Sequence, residues 1–134
     1  MKKCGFVFLL LSALFLAACG STDNSKANSE EIKYENVTVQ QAKDLINQED
    51  VVVLDVRTPE EYNEGHIPNA TLIPVQELEN RLGELDKNTA YLVVCRSGNR
   101  SVTASEILVE NGFKKVKNME GGMNRWTDKV EKTN

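Results

Sequence analysis

Cys95 and Arg100 are the residues of this chain best suited to covalent chemistry. They lie in the stretch AYLVVCRSGNRS, Ala90 to Ser101, where an apolar run ends on a thiol and a polar loop with two arginines begins. A thiol attacks as its thiolate, and thiolates form where cations, backbone amides or a helix N-terminus gather. Gly98 permits a tight turn. A loop curled there can point its N–H groups inward as a nest for an anion, and the helix that follows adds its positive end. Arg96 and Arg100 add two cations, while Ser97, Asn99 and Ser101 offer hydrogen-bonding side chains. Arg100 closes the loop; Arg96 either selects anionic donors or points outward. Each feature favours negative charge on the Cys95 sulfur and an anionic adduct held there. Such a thiolate attacks sulfur, phosphorus or arsenic, and residue types alone leave the three open.

Other candidate groups read differently. Asp55 and Arg57, two residues apart at the end of an apolar run, suit an ion pair that braces neighbouring loops. His66 is the only histidine. It titrates in the range of a general base, yet a thiolate made by its loop needs none, so a structural place in a turn is expected. Met123 and Trp126 fit an apolar helix face.

The elements that must position these groups alternate. Thr38-Val39-Gln40-Gln41 has capping-box spacing and predicts a helix with Ala42, Leu45 and Ile46 on one face. Val51 to Leu54 predicts a strand buried on both faces. Thr58-Pro59-Glu60-Glu61 predicts a second capped helix that Gly65 ends. Ala70–Ile73, Tyr91–Val94 and Val116–Asn118 read as strands, and Leu78, Leu82 and Leu85 as a helix. Ser101–Asn111 reads as a helix stopped by Gly112, with Ala104, Ile107 and Leu108 inward. Gly121-Gly122 is expected to open a last helix carrying Met123, Trp126 and Val130, and the acidic residues from Glu77 to Asp86 a solvated face. Strands alternating with helices predict an α/β domain with a largely parallel sheet and helices on both faces. Ligands then bind beyond the carboxyl ends of the strands, where Cys95 falls.

The first residues stand apart. Lys2 and Lys3 precede the apolar run Phe6–Leu16 and the sequence Leu16-Ala17-Ala18-Cys19. The run is too short for a permanent span and reads as an export leader, residues 1–18. Leu-Ala-Ala-Cys resembles a bacterial lipobox, which implies a lipidated Cys19 as the mature N-terminus and a membrane-held, extracytoplasmic protein. Residues 19–33 read as a solvated tether and 34–134 as the domain. Of three cysteines, Cys4 leaves with the leader and Cys19 is capped, so Cys95 is the one free thiol of the mature chain. Without residues 1–18 the chain holds 14 basic and 20 acidic residues, a formal charge of −6. That balance excludes a nucleic-acid binder with a broad basic face.

The loop is Cys-x4-Arg; tyrosine-phosphatase loops are Cys-x5-Arg, and here that position is Ser101. The smaller loop suits one persulfide sulfur better than a tetrahedral phosphate. It resembles the active-site loop of the rhodanese-type sulfurtransferases. LDVRTPEEYNEGHIPNA, Leu54–Ala70, is similar to the same family's Asp-x-Arg…Glu-Tyr…Gly-His-Ile-Pro-x-Ala signature, and GGMNRW, Gly121–Trp126, to its closing segment. The resemblance implies the single-domain rhodanese fold and a Cys95 persulfide, with no metal and no organic cofactor. Sulfur would come from thiosulfate or a similar small anion, and leave to a thiol or cyanide, with a partner protein as another possible donor or acceptor. Two alternatives stand beside it. A phosphatase or arsenate reductase is disfavoured by loop size and by the absence of a second free thiol. A non-catalytic sulfur-carrying or binding module at the membrane would need the same loop.

Overall fold

The computed structural model describes residues 33–134, apart from Glu49. The expected leader, Cys19 and the tether up to residue 32 lie outside the described residues. Five strands, β1 Glu35–Val37, β2 Val52–Asp55, β3 Thr71–Leu72, β4 Tyr91–Val94 and β5 Val116–Met119, form one sheet in the order β1-β5-β4-β2-β3. Every neighbouring pair is parallel. Four helices cover it: α1 Val39–Asn47, α2 Pro59–Glu64, α3 Leu78–Arg81 and α4 Asn99–Glu110.

Alternation along β4 divides the core in two. Val93 and Cys95 face α4 and pack with Ala104, Leu108 and Phe113. Leu92 and Val94 face the other side and pack with Ala42 of α1, Ile67 and Met119. Each fully buried Leu, Phe or Met contributes roughly 1.5–3 kcal/mol, so the central strand is anchored from both faces. The helices begin where their caps dictate. Thr38 and Thr58 each accept from a backbone amide three residues on, and Gln41 and Glu61 reach back to the cap amides.

Several elements differ from the sequence expectation. β1 was not foreseen: only Val37 of its three residues is buried, so no hydrophobic period announces it. Val52 is 38% exposed, because β2 starts there, at the rim, and runs on to Asp55. The Leu78–Leu85 segment makes one turn of α-helix and then a 3₁₀ turn, Leu82–Glu84. Helix α4 starts two residues early, at Asn99. The expected last helix is a single 3₁₀ turn, Gly122–Arg125. The chain then leaves helical geometry and bends at Asp128, with Val130 40% exposed and Trp126 and Met123 half-buried against the α1 side of the core. It ends pinned by an antiparallel bridge in which the His66 and Glu131 backbones exchange hydrogen bonds of 2.9 and 2.8 Å.

Candidate active site

Cys95 follows directly on β4, at the carboxyl edge of the sheet, and has no exposed surface. Gly98, at φ 103°, turns the chain into α4. No side chain caps this helix, so its orphan N–H groups are available. They converge on sulfur. The Gly98 amide lies 3.0 Å from Sγ, and the Ser101 hydroxyl 3.3 Å. Burial pushes the Cys95 thiol up, but the Ser101 hydroxyl and the amides of Ser101, Gly98 and Ser97 more than reverse this, holding it below an ordinary cysteine. The side chains of Ser97 and Asn99 are exposed; the Ser97 contribution is its backbone.

The nest is held from behind. Met123 N donates to Cys95 O at 2.8 Å, and Asn124 N to Arg96 O at 2.9 Å. The 3₁₀ turn therefore fixes these two carbonyls on its own side of the loop. Gly122 must be glycine for this contact. A Cβ there would lie 2.3 Å from Cys95 O and 2.6 Å from Arg96 O, and its φ is +56°. The Gly-Gly pair thus serves the loop rather than a long helix.

The sequence left Arg96 open between donor selection and an outward place and expected Arg100 to close the loop; both bond Glu61 on α2, and Arg100 also feels the charge of Cys95. Arg96 Nε donates to Glu61 Oε1 at 2.6 Å; Arg100 Nη1 donates to Oε2 at 2.7 Å and Nη2 to Oε1 at 2.9 Å. Oε2 also accepts the Thr58 amide at 3.0 Å. The Arg100 guanidinium, with the Thr58 amide and Arg96, holds the Glu61 carboxyl well below the usual carboxylate range despite its burial. Glu61 is the site residue that sequence reasoning missed. Its capping-box position gave it a complete local explanation, and its second role joins residues 35 and 39 positions away.

Asp55 and Arg57 lie 1% and 5% exposed. Asp55 is in register with Val94, immediately before Cys95. Arg57 Nε donates to Asp55 Oδ1 at 2.9 Å and Nη2 to Oδ2 at 2.6 Å, while Nη2 also reaches Gly65 O at 2.9 Å. The pair ties the end of β2 to the end of α2, the helix that carries Glu61. His66 is elsewhere: its ring stacks on Tyr62 at 3.6 Å and its Nδ1 pairs with Tyr62 O at 2.9 Å.

Two expectations follow. Ser101→Ala removes the hydroxyl that accepts from the Cys95 thiol at 3.3 Å and donates to its thiolate. The pH profile of Cys95 alkylation should move to higher pH, and its rate at neutral pH should fall about tenfold for each pH unit of that move. Glu61→Gln keeps an acceptor for the Thr58 amide, since a capping box admits glutamine, but loses the charge facing both arginines. It should cost about 1–3 kcal/mol in denaturant unfolding at neutral pH. Because the folded carboxyl is depressed, its contribution is complete above the ordinary glutamate value of 4.5 and fades as pH falls below it. The gap between parent and Glu61→Gln should narrow there.

Comparison with known proteins gives this arrangement a family. Residues 38–129 match the model of the rhodanese-like domain. A thiosulfate sulfurtransferase, GlpE, from Pseudoalteromonas translucida is 32% identical over 103 residues, 74% of this chain and 98% of that one. The Bacillus subtilis protein YrkF, provisionally named a sulfur carrier, is 45% identical over 83 residues, 62% of this chain; the match spans only 45% of YrkF. Among solved structures, a rhodanese-like domain protein from Staphylococcus aureus superposes with a TM-score of 0.69 at 37% identity, covering 75% of this chain and 99% of that chain. With the family model matched from residue 38 to 129 and a relative 32% identical over 98% of its length, the chain belongs to the rhodanese-like domain family.

Proposed function

We propose that this protein is a lipid-anchored, extracytoplasmic sulfurtransferase that works through a persulfide on Cys95. The observation that carries the reading is the single thiol at the floor of an amide nest, its charge favoured by three backbone N–H groups and a hydroxyl. The donors of the nest meet one sulfur atom, Cys95 Sγ, at 3.0 and 3.3 Å. The Cys95 thiolate attacks the sulfane sulfur of thiosulfate; the S–S bond of the donor breaks, sulfite leaves with the bonding pair, and Cys95–S–S⁻ remains. A thiolate or cyanide then attacks the outer sulfur, taking it as a persulfide or thiocyanate and returning the Cys95 thiolate. One transfer becomes two displacements, and the N–H donors stabilise the charge left on sulfur after each. Cys95 has no exposed surface, so the donor's terminal sulfur reaches it as the 96–100 loop shifts. The ties of Arg96 and Arg100 to Glu61 are the contacts that such a shift exchanges for an anionic donor.

A second reading, a sulfur carrier that passes its persulfide to a protein partner, draws support from the likeness to YrkF. Turnover separates the two. With thiosulfate and cyanide, a sulfurtransferase forms thiocyanate over many cycles. A carrier stops after one equivalent per Cys95. Thiocyanate at the level of Cys95→Ala, with release of phosphate from an aryl phosphate ester, would replace both with a phosphatase.

A further inference from the structure

A parallel sheet has two unlike edges. All strands end at the Cys95 side and all begin at the other, with the four residues of β4 separating the edges by roughly 13 Å. The starting edge carries a cleft of about 320 Å³ lined by Lys33, Lys114, Lys115 and Lys117, with Glu35. Lys117 pairs with Glu35, while Lys114 and Lys115, just before β5, are exposed. Lys87 stands beside them in the turn before β4, its ammonium 5.9 Å from the Phe113 ring. Residues 33–134 hold eight lysines, and these five (33, 87, 114, 115 and 117) gather at one edge. They do so in a chain whose charge beyond residue 18 is −6.

The chain also enters the fold here. β1 begins at Glu35, paired with Lys117. Cys19 lies 14 residues before Lys33, a reach of roughly 50 Å at most. We propose that this lysine edge seats on anionic lipid headgroups, so that the anchored domain holds its Cys95 edge away from the bilayer. The proposal rests on the reading of Cys19 as a lipid anchor. Basic residues near an anchor are drawn to an anionic membrane surface, and the tether raises the local concentration of that surface. Glu35, Asp50 and Asp86 also lie on this edge, at or just before the starts of β1, β2 and β4, so the attraction is carried by the exposed pair Lys114 and Lys115. Donor and acceptor then meet the site from the side facing away from the lipid.

The test uses residues 20–134, which fold without the leader, since the staphylococcal relative is 99% covered by this domain. Sedimentation with vesicles of equal parts phosphatidylglycerol and phosphatidylcholine, at low ionic strength, should carry the protein down. Pure phosphatidylcholine should not, and added salt should release it. Lys114→Glu with Lys115→Glu should weaken partition by at least about 25-fold, about fivefold for each lysine lost, with thermal unfolding and persulfide formation unchanged. Lys129→Glu with Lys132→Glu, the same charge change elsewhere, should leave binding nearly intact. Equal binding to both vesicles, no binding by the parent, or equal losses in the two variants would overturn the seat. The anchor is read separately: an intact mass of the membrane-extracted full chain without a diacylglyceryl group removes the anchor and the orientation with it, and leaves the vesicle result readable on its own.

Discussion

Gly122→Ala should transfer sulfur at least about 100-fold more slowly than the parent and unfold more easily by about 2–4 kcal/mol. The new Cβ meets two backbone carbonyls, Cys95 O at 2.3 Å and Arg96 O at 2.6 Å. Neither is the far end of a flexible side chain, so relief requires moving the loop or the 3₁₀ turn. Moving either breaks the Met123 and Asn124 amide bonds to those carbonyls and turns the peptides that form the nest. Overpacking against rigid neighbours costs about 1–3 kcal/mol, and the positive φ of Gly122 adds strain of order 1 kcal/mol. A misplacement of about 1 Å can by itself cost 100-fold in rate. Persulfide formation measured on folded protein, beside thermal unfolding, separates the two effects. A rate within twofold of the parent would mean that the turn does not shape the nest.

Asp55→Ala should be the most destabilising change outside the loop. It leaves the Arg57 guanidinium 5% exposed with its carboxylate partner gone and only the Gly65 carbonyl to receive it. Removing one partner of a buried pair typically costs about 3–5 kcal/mol. For a domain of this size that lowers the melting temperature by roughly 15 °C or more. The loss should reach the site as well, because Arg57 joins the end of β2 to the helix carrying Glu61. Replacing both partners together by apolar residues of similar shape should cost much less than Asp55→Ala alone. A melting temperature within a few degrees of the parent for Asp55→Ala would show the pair to be solvated rather than buried.

Most of the fold was legible because its signals are local. The capping boxes at Thr38 and Thr58 form as spaced. The run Tyr91–Val94 is buried throughout, as expected of a central parallel strand. The family resemblance carried by Leu54–Ala70, Cys95–Arg100 and Gly121–Trp126 led to the same domain. What stayed illegible depends on distance. The Glu61 carboxylate satisfies a capping box completely, so nothing in its neighbourhood reveals two arginines arriving from another loop. The loop's own residues left Arg96 open between facing the donor and facing outward, and only the fold shows that Glu61, on another helix, receives both it and Arg100. The last helix is cut short. Met123 and Trp126 have helical spacing, but the chain turns extended at Trp126, at ψ 125°, whose indole N–H goes on to the Lys129 carbonyl. Val52 was expected inside because its type is apolar; its place on the rim of the sheet decided otherwise.

The most direct measurement is the intact mass of residues 20–134 after incubation with thiosulfate. A gain of one sulfur atom, about 32 Da, absent from Cys95→Ala and removed by cyanide with release of thiocyanate, is the predicted result, because only the Cys95 thiolate is available to break the donor's S–S bond. An unchanged mass, or a gain that persists in Cys95→Ala, would contradict a persulfide formed on Cys95 from this donor.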